Sequence, residues 1–410
     1  MKIIFVNRYF HPDHSATSQM LSDLAFALAG QGRTVHVVTS RPRYGTPAAV
    51  LAKRETSEGV AIDRVWTTRF GRYKLVGRAV DYLSFYLSAA AMLWRIAGRG
   101  DIVVAMTDPP MLSLLATPIA RWRGAVSVNW LQDIYPEVIQ ALGMARGALS
   151  GLGVRLLRRA RDRSLRRAAC NVVLGERMAA GVRDLGVASD RIAVVANWAD
   201  GSLVRPVEPA GNPLRRRWGV GDRFVVAYSG NLGRAHDIDT ILAAMAETER
   251  RARVLWLFIG GGAQVDALAS GAHRRGLTSL RLEPYQPREH LAESLSVADV
   301  HLVSLRPELE GLIVPSKFYG IAAAGRATIF IGDGEGEIAR ELRRIDGGVT
   351  VAQGDGKGLA EAVLALAADP MRCREMGRNA RQAFERDYDK PRAVGQWQRL
   401  IDRASAAARR

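Results

Sequence analysis

Acidic side chains precede a basic turn in the segment RPELEGLIVPSKFYGIAAAGRATIF, which covers residues 306–330. Glu308 and Glu310 can accept hydrogen bonds from the hydroxyls of a sugar or a ribose. Ser316 lies where a helix N-cap would lie, so the free amides from Lys317 onward would point at an anion in front of the turn. A nucleotide-sugar site requires carboxylates that bind hydroxyls, and beside them a basic helix N-terminus that binds phosphates. An acidic surface loop before an ordinary capped helix is the alternative interpretation.

A glycine-containing turn is the second feature that could bind phosphate, and it follows the apolar run Phe224–Tyr228. Gly230 and Gly233 would let the backbone approach a ligand closely, and Arg234 can place a positive charge on a diphosphate. Three further glycines, residues 260–262, follow the next apolar run in the same way. Glycines at such positions often serve only the turn, which is the alternative here. The chain contains no P-loop, no GxGxxG fingerprint near its start and no nucleophile elbow.

Short apolar runs alternate with helical patterns twice along the chain, and these elements must position the candidate residues. Runs of this kind are typical of buried parallel strands. Those of the first half are Ile3–Val6, Val35–Val38, Ile102–Ala105, Val126–Val128 and Val172–Leu174, and those of the second half are Phe224–Tyr228, Val254–Ile259, Leu280–Leu282, Val300–Leu305 and Ala327–Ile331. Helical patterns such as Ser18–Ala29 and Ile238–Glu247 separate them. The sequence therefore predicts an α/β protein of two doubly wound Rossmann-like domains.

The domain boundary is predicted near residues 200–220, where a linker is marked by Gly201, Pro206, Pro209, Gly211 and Pro213. The chain has 410 residues, which suits two domains of roughly 200 residues each. We expect residues 1–200 to form the first domain and residues 201–388 the second. Loops at the carboxyl ends of the strands build the site in doubly wound domains, so two such domains facing each other would form a cleft.

The composition is that of a globular protein, with 48% hydrophobic and 24% charged residues. The N-terminus enters an apolar strand directly and lacks the features of a signal peptide. The longest uncharged apolar stretch, Tyr82–Trp94, is too short to span a bilayer. Only Cys170 and Cys373 are present, without metal-ligand spacing or a disulfide framework. A reducing, cytoplasmic location is therefore expected.

Positive charge dominates the surface composition, with a formal net charge of +17 from six Lys and 52 Arg against 41 acidic residues. The segment Arg155–Arg167 is either a basic helix on anionic lipid headgroups or a solvated helix face. Residues 69–78 interleave aromatic, apolar and basic side chains before Tyr82–Trp94, which suits insertion at a membrane interface; an exposed loop followed by a core helix is the alternative. An anionic inner-membrane surface is the expected partner, and nucleic acid is not, because no zinc finger or RNA-binding signature is present.

An ordered series of short motifs runs nearly from end to end. Its members are Tyr9–Gln19, Thr39–Tyr44, Asp108-Pro109-Pro110, Gln132–Glu137, Ala196–Asp200, Tyr228–Gly233, Ile259–Gly262, Ala298-Asp299 and Pro315-Ser316-Lys317. In this series the chain resembles the retaining glycosyltransferases of family four, which have the GT-B architecture. Within that family it is similar to the branch of colanic-acid and O-antigen transferases of the WcaI and WbuB type.

The resemblance implies transfer of a sugar from a nucleotide diphosphate donor, with retention at the anomeric carbon and with no metal or other cofactor. The second domain would hold the donor, the first would hold the acceptor, and a final helix, about residues 389–410, would cross back onto the first domain. Carried over by position, Arg234 and Lys317 neutralise the diphosphate as it leaves, which stabilises the transition state. Tyr285 is a candidate to contact the base, or alternatively a half-buried turn tyrosine. The other donor-binding candidates are Gly230, Asn231, Gly233, His236, Gly261, Glu308, Glu310, Pro315 and Ser316.

Two departures from the family pattern affect the donor side. The family pairs two Glu residues across seven positions; here the second position is Gly320 and the first is Leu312, two residues past Glu310. The pair is absent in strict register, which leaves the ribose contact unassigned. The usual basic pair of the glycine turn is replaced by Asn231 and His236. His236 would contact phosphate or sugar, or else cap the start of a helix.

Asp133 is the preferred residue on the acceptor side, because it follows a strand, precedes Pro136 and would face the cleft. A carboxylate there could orient or deprotonate an acceptor hydroxyl. If the leaving phosphate takes the acceptor proton, as is thought for retaining enzymes of this fold, Asp133 would only position the acceptor.

Further acceptor candidates lie in the loop after the first strand and beside Asp133. His11, Asp13 and His14 are alternatives in that loop, unless they cap turns around its proline. Ser15 and Thr17 are expected just ahead of a helix, where they would offer a second anion contact. Glu137 either contacts the acceptor or offsets the dipole of a first helical turn.

The expected acceptor is a glycan or a polyprenyl-diphosphate-linked oligosaccharide on the cytoplasmic leaflet, used to build exopolysaccharide or surface polysaccharide. The enzyme would then be peripheral on the inner face of the plasma membrane. One rival interpretation is a nucleotide-sugar 2-epimerase, which would need more acid/base carboxylates and histidines in the cleft than this chain offers. Another is a degenerate transferase kept as a subunit of a glycan-assembly complex, which Gly320 and His236 favour.

Overall fold

Two β-sheets organise the residues that the structure describes, which are 1–44, 50–71, 75–143 and 151–408 of a computed structural model. The chain divides into two units, Met1–Ala196 with Ala393–Arg410, and Asn197–Arg392. Each unit contains one of the sheets. Among the described helices, none combines the length and the apolar character needed to cross a membrane.

The sheet of the first unit has eight strands in the described residues, and the first strand of the chain lies in its interior. Its strands are β1 (Lys2–Val6), β2 (Thr34–Ser40), β3 (Arg54–Ser57), β4 (Val60–Val65), β5 (Ile102–Ala105), β6 (Val126–Trp130), β7 (Cys170–Val173) and β8 (Ile192–Val194). They lie in the order β3-β4-β2-β1-β5-β6-β7-β8. Only β3 and β4 pair antiparallel among these strands. Since β1 lies between β2 and β5, the strand order reverses there, and the crevice between β1 and β5 is the topological switch point.

Helices connect these strands. They are α1 (Ala16–Gly30), α2 (Leu75–Ile96), α3 (Ser113–Trp122), α4 (Glu137–Ala141), α5 (Gly151–Arg167) and α6 (Glu176–Asp184), with a 3₁₀ turn at Ser189–Arg191. The first helix begins at Ala16 because the Ser15 hydroxyl accepts a hydrogen bond from the Ser18 amide. The expectation that Thr17 lies ahead of this helix was therefore wrong, since Thr17 is in its first turn.

The sheet of the second unit is parallel throughout the described residues. Its strands are β9 (Phe224–Asn231), β10 (Val254–Gly261), β11 (Leu280–Glu283), β12 (Val300–Ser304), β13 (Ala327–Ile331) and β14 (Gly348–Val351). The order is β11-β10-β9-β12-β13-β14, so the switch point lies between β9 and β12. The helices are α7 (Pro213–Arg217), α8 (Asp239–Thr248), α9 (Val265–Arg274), α10 (Leu291–Ser296), α11 (Lys317–Ala323), α12 (Glu337–Ile345), α13 (Gly356–Ala368) and α14 (Pro370–Ala383). Short 3₁₀ turns lie at Pro209–Gly211, Arg288–His290 and Pro307–Leu309, and a π-helical turn at Phe384–Tyr388.

Both faces of the second sheet are covered. Along β9, Val226 and Tyr228 belong to one buried cluster, while Val225 and Ala227 belong to another. Successive side chains of a strand point to opposite faces, so apolar layers pack on either side of the sheet. This three-layer arrangement is the doubly wound architecture that the alternating pattern predicts.

The last helix, α15 (Lys390–Ala408), contributes to the first unit from Ala393 onward. Trp397 is fully buried there, and its ring centroid lies 4.6 Å from that of Trp130 at the end of β6. Asp402 accepts a hydrogen bond from Arg33 at 2.7 Å. The predicted return of the C-terminal helix to the first domain is confirmed.

The α/β class and the ten apolar strands are confirmed, whereas β3, β4, β8 and β14 were missed. The strand β3 (RETS) has no apolar side chain, and the apolar residues of β8 (IAV) and β14 (GVTV) are too few for a clear pattern. In β4 the apolar run is interrupted by two buried charged side chains, Asp63 and Arg64. Asp63 accepts from Arg54 at 2.7 Å and Arg64 donates to Glu55 at 2.7 Å, so β3 supplies the partners that make this burial possible.

Candidate active site

Basic side chains converge at the switch point of the second unit. His236 follows β9, Arg306 follows β12, and Lys317 begins α11. In a parallel sheet the carboxyl ends of neighbouring strands lie at the same edge, and ligands of doubly wound domains bind in the crevice there. The topology therefore brings together residues that are far apart in the sequence, since Arg306 and Lys317 lie 70 and 81 positions after His236.

The Lys317 amine faces the His236 ring. Its Nζ lies 3.4 Å from Nε2 of His236, whereas Nδ1 of the same ring lies 2.9 Å from the Ser304 carbonyl oxygen. A carbonyl can only accept, so Nδ1 carries the ring proton and Nε2 accepts from the lysine. Burial, together with the nearby Lys317 charge, lowers the pKa of His236 to about 3. The histidine is therefore neutral at neutral pH, and the lone pair of its Nε2 faces the amine.

Glycine and an aromatic ring hold the Lys317 side chain in place. Nζ lies 5.0 Å from the centroid of the Tyr228 ring, within cation–π range. Gly230 has a φ of +114°, and a Cβ there would lie 3.0 Å from Cε of Lys317. Burial lowers the pKa of Lys317 to about 8, so the amine is still charged at neutral pH. Lys317 forms no ion pair with a carboxylate in the part of the chain that the structure describes, which leaves its charge available to an anionic ligand.

Two arginines add charge to this edge of the sheet. Arg234 is exposed on the glycine turn. Arg306 was missed by the sequence analysis, although it lies two residues past the end of β12. Its amide donates to the Ala235 carbonyl at 3.1 Å, and its buried Nε has no hydrogen-bond partner within the described ranges. Its charge also contributes to the low pKa of His236, after burial and Lys317.

The remaining residues of the glycine turn are held by backbone bonds. Asn231, the exposed last residue of β9, accepts the Tyr228 hydroxyl on its carbonyl at 2.8 Å. The Gly233 carbonyl accepts from the Gln264 side chain at 2.6 Å. These contacts fix the turn from which Arg234 and His236 project.

An aromatic ring covers the neighbouring glycine loop. A Cβ on Gly261 would lie 3.2 Å from the Tyr285 ring, and one on Gly260 would lie 3.1 Å from it. Tyr285 is 60% exposed, so one side of its ring contacts the loop while much of the side chain remains open to solvent. This places an aromatic surface at the carboxyl end of β10, beside the strand that leads to His236.

The two acidic residues before α11, Glu308 and Glu310, differ in their exposure and in their contacts. Glu308 is exposed on the 3₁₀ turn Pro307–Leu309. Glu310 is half-buried and accepts the Glu337 amide at 3.2 Å, at the start of α12. It therefore stabilises a helix N-terminus, where a carboxylate offsets free amides.

The residues that begin α11 are half-buried. Pro315 precedes Ser316, which is at the N-cap position but whose side chain makes no capping hydrogen bond. Gly320 lies inside the helix, where a Cβ would contact Leu295 at 3.4 Å. Lys317 is thus the residue of this helix that contributes a charged group to the site.

Asp133 lies beyond the carboxyl end of β6 in the first unit. It lines a crevice together with Met106, Thr107 and Ile134. Burial, together with the negative charge of Asp108, raises the pKa of Asp133 to about 7. Asp108 follows β5, and its carbonyl accepts the Arg8 amide at 2.6 Å across the switch point. A carboxyl group that changes its protonation near neutral pH is suited to handle or orient a hydroxyl proton.

Other acceptor candidates are engaged in local structure. Asp13 accepts the Tyr44 amide at 2.9 Å, and burial raises its pKa. The His11 ring packs edge-on against Phe26. Ser15 caps α1 and Thr17 is half-buried in its first turn.

Glu137 forms a two-pronged ion pair. Both of its carboxylate oxygens accept from Arg161 at 2.9 Å, and Arg158 approaches Oε1 to 3.1 Å. Arg161 is buried and also donates to the Tyr135 carbonyl at 2.7 Å. The pair fastens α5 to the loop that carries Asp133, so the basic helix uses one of its arginines inside the fold.

Across residues 1–44, 50–71, 75–143 and 151–408, no group of three or more His, Cys, Asp or Glu side chains is placed to hold a metal ion.

Comparisons with known proteins agree with this fold and with these motifs. Residues 16–198 match the glycosyl transferase 4-like domain family. The chain is 25% identical to the putative colanic acid biosynthesis glycosyl transferase WcaI of Escherichia coli K12, over 97% of this chain and 98% of WcaI. It is 29% identical to the probable glycosyltransferase WbjE of Pseudomonas aeruginosa, over 66% of this chain and 67% of WbjE.

A solved structure supports the architecture. HepE of Anabaena, crystallised in complex with UDP-glucose, has a TM-score of 0.73 and 15% identity, with 98% of this chain and 99% of HepE covered. That similarity extends through both units and concerns the fold alone. Taken together with the ordered motifs, the matches support a glycosyltransferase of family four, of the WcaI-like branch, and the architecture is the GT-B fold.

Proposed function

We propose that the enzyme transfers a sugar from a nucleotide diphosphate donor, with retention, to a glycan or lipid-linked oligosaccharide in bacterial surface polysaccharide biosynthesis. One observation carries this proposal: Lys317, oriented by a neutral His236, presents a desolvated charge at the switch point of the second unit. WcaI is named for colanic acid biosynthesis, and HepE binds UDP-glucose, which supports both the pathway class and the donor class.

The basic group, which consists of Lys317, Arg306 and Arg234, would act on the leaving diphosphate. Negative charge grows on the phosphate oxygen as its bond to the anomeric carbon breaks, and Lys317, Arg306 and Arg234 would stabilise that charge. Because these side chains supply positive charge themselves, we propose that transfer needs no added divalent ion. Tyr285 would contact the base, and Glu308 would contact hydroxyls of the donor.

The acceptor would bind at the first unit, near Asp133. Its hydroxyl oxygen attacks the anomeric carbon on the face that the diphosphate leaves, and its proton passes to the departing phosphate oxygen. The new glycosidic bond therefore keeps the configuration of the donor. Asp133 would orient the hydroxyl by accepting its hydrogen bond as a carboxylate, the form that predominates above its pKa of about 7.

The acceptor class indicates where in the cell the enzyme would act. A lipid-linked oligosaccharide is presented at a membrane surface, so we propose that the enzyme acts at the inner face of the plasma membrane. The net charge of +17 favours association with anionic lipids.

A turnover assay tests the proposal. The enzyme is incubated with UDP-, GDP- and dTDP-sugars and with lipid-linked oligosaccharide acceptors, and release of nucleoside diphosphate and the anomeric configuration of the product are measured. Lys317→Ala should reduce turnover at least about a hundredfold, by loss of transition-state charge stabilisation. Lys357→Ala is the matched control, since Lys357 is exposed on α13 and makes only a 3.9 Å contact with Glu361. Wild-type turnover by Lys317→Ala would remove this residue from the mechanism, and donor binding without turnover on any acceptor would favour the degenerate-subunit interpretation.

A further inference from the structure

We infer that one face of α2 docks the enzyme on an anionic lipid bilayer. Five large apolar residues on this helix are exposed, from 38% for Val80 to 78% for Val76. We call them the α2 stripe; its members are Val76, Val80, Leu83, Leu87 and Trp94. Their spacings of four, three, four and seven residues place all five on one side of a helix. Contiguous exposed apolar faces of this kind mark interaction surfaces.

The opposite side of α2 is already packed. Phe85, Ala89 and Leu93 are fully buried in the core of the first unit. The helix is therefore anchored by one face, and the α2 stripe is not needed to hold it. From Val76 to Trp94 the stripe extends about 27 Å at the rise of an α-helix.

A loop fixed to α2 enlarges the apolar surface at one end. Trp66 and Phe70 are 61% and 67% exposed. The Phe70 amide donates to Asp81 at 3.0 Å, and a Cβ on Gly77 would lie within 2.7 Å of Phe70, so the loop lies directly against the helix. Positions 72–74, which belong to the basic-aromatic segment of the sequence analysis, lie outside the residues that the structure describes.

A pair of tryptophans marks the other end. The Trp122 side chain is 75% exposed, and its ring lies edge-on to Trp94 with 6.0 Å between centroids. The Arg123 guanidinium lies 5.6 Å from the Trp94 ring centroid. Tryptophans and arginines are side chains that settle at the boundary between lipid tails and headgroups.

The charges around the α2 stripe indicate which kind of partner it contacts. Arg69, Arg95, Arg99 and Arg121 are exposed, and none of them forms an ion pair with another residue of the described ranges. The only acidic residue of α2, Asp81, is buried and accepts hydrogen bonds from the neighbouring loop. An apolar face bordered by arginines matches a bilayer with anionic headgroups. A second copy of the chain fits poorly, because a two-fold contact would oppose these arginines to one another.

The docking face is connected to the strand ends of the first unit. The Arg8 guanidinium lies 3.4 Å from Asp81, and the Arg8 amide donates to the carbonyl of Asp108, beside Asp133. The inference rests on the proposed lipid-linked acceptor, since a bilayer contact here would present such an acceptor to this edge of the unit. Its test needs no sugar donor, so the docking inference and the proposed transferase function can fail separately.

The test is co-sedimentation with phosphatidylcholine vesicles prepared with and without phosphatidylglycerol. The wild-type protein should bind the vesicles that contain phosphatidylglycerol, and added salt should weaken this binding. The double variant Leu83→Glu with Leu87→Glu should lower the vesicle partition coefficient at least about tenfold, because two exposed apolar side chains no longer enter the bilayer. Arg95→Gln with Arg99→Gln should reduce the preference for phosphatidylglycerol.

Two controls make the result decisive. Met371→Glu changes a residue that is 62% exposed on α14, in the second unit, and should leave vesicle binding unchanged. The leucine variant should keep the wild-type melting temperature and the wild-type affinity for nucleoside diphosphates, since both positions are on the surface. Wild-type vesicle binding by the leucine variant, or no binding by the wild-type protein, would overturn the inference. A wild-type dimer in solution that the leucine variant converts to a monomer would overturn it in favour of a second copy.

Discussion

The buried amine of Lys317 allows a prediction that separates stability from function. Burial lowers its pKa from 10.5 to about 8. Each pKa unit corresponds to about 1.4 kcal/mol, so the folded protein disfavours the charged amine by about 3 kcal/mol. The unfolded chain binds this proton more tightly, so the cost is complete below about pH 8 and disappears as the pH rises to about 10.5.

Lys317→Met should therefore leave the protein as stable as the wild type at neutral pH, or more stable. The substitution removes the cost of about 3 kcal/mol and keeps the packing against Gly230, but it loses the cation–π contact with Tyr228, about 1 kcal/mol. It also leaves His236 without its donor, which costs about 1 kcal/mol. The expected change in the free energy of unfolding lies between zero and a gain of about 2 kcal/mol, while the affinity for nucleoside diphosphates falls at least about tenfold.

The pH dependence of nucleotide binding gives the second readout. With a pKa of about 8, the charged fraction of Lys317 falls about tenfold from about pH 7 to about pH 9, so the dissociation constant for a nucleoside diphosphate should rise by a similar factor. Lys317→Met should show no such dependence, and Lys357→Met should behave as the wild type. Urea denaturation and titration calorimetry measure the two quantities. A loss of several kcal/mol of stability in Lys317→Met, or a wild-type affinity that is the same at both pH values, would refute the reasoning.

Three further predictions concern other residues. Asp133→Asn should leave donor affinity unchanged and remove an inflection near pH 7 from the pH–rate profile, where the wild-type rate should rise with pH as the carboxylate forms. Glu137→Ala should lower the free energy of unfolding by roughly 3 kcal/mol in urea denaturation, because the buried Arg161 loses its two-pronged partner; an unchanged urea midpoint would show that solvent replaces the pair. Gly230→Ala should weaken nucleotide binding in calorimetry and cost about 1–3 kcal/mol of stability, because φ is +114° and its Cβ would contact Lys317. Gly334→Ala is its control, with open space at the added Cβ, and equal effects of the two would contradict this explanation.

The sequence was sufficient for the elements whose signal is local. Apolar runs such as Ile3–Val6 and Phe224–Tyr228 can only be satisfied by burial, and their alternation with helical patterns predicted both sheets. The strand β4 was missed because Asp63 and Arg64 are buried in it, and their partners on β3 become visible only once the hairpin has formed.

The candidate site likewise depends on contacts between residues that are far apart in the sequence. Lys317 was predicted from its turn, but its contact with His236 spans 81 positions and depends on the order of the strands. Arg306 could not be identified from the sequence alone, because its approach to His236 depends on β12 lying beside β9. Along α2 the alternatives of core helix and membrane contact were left open, and the structure shows that the two faces of one helix differ: Phe85 is buried while Leu87 is 65% exposed.

The central claim is that the basic group around Lys317 binds the diphosphate of a nucleotide-sugar donor. A thermal-shift screen of nucleosides, nucleoside diphosphates and nucleotide sugars, without added metal, tests it most directly, since a ligand of the native state raises the melting temperature according to its affinity. We predict that diphosphates of at least one base raise the melting temperature and that the matching nucleoside does not. A cooperative melting transition that no diphosphate shifts, or that the nucleoside shifts equally, would contradict the account.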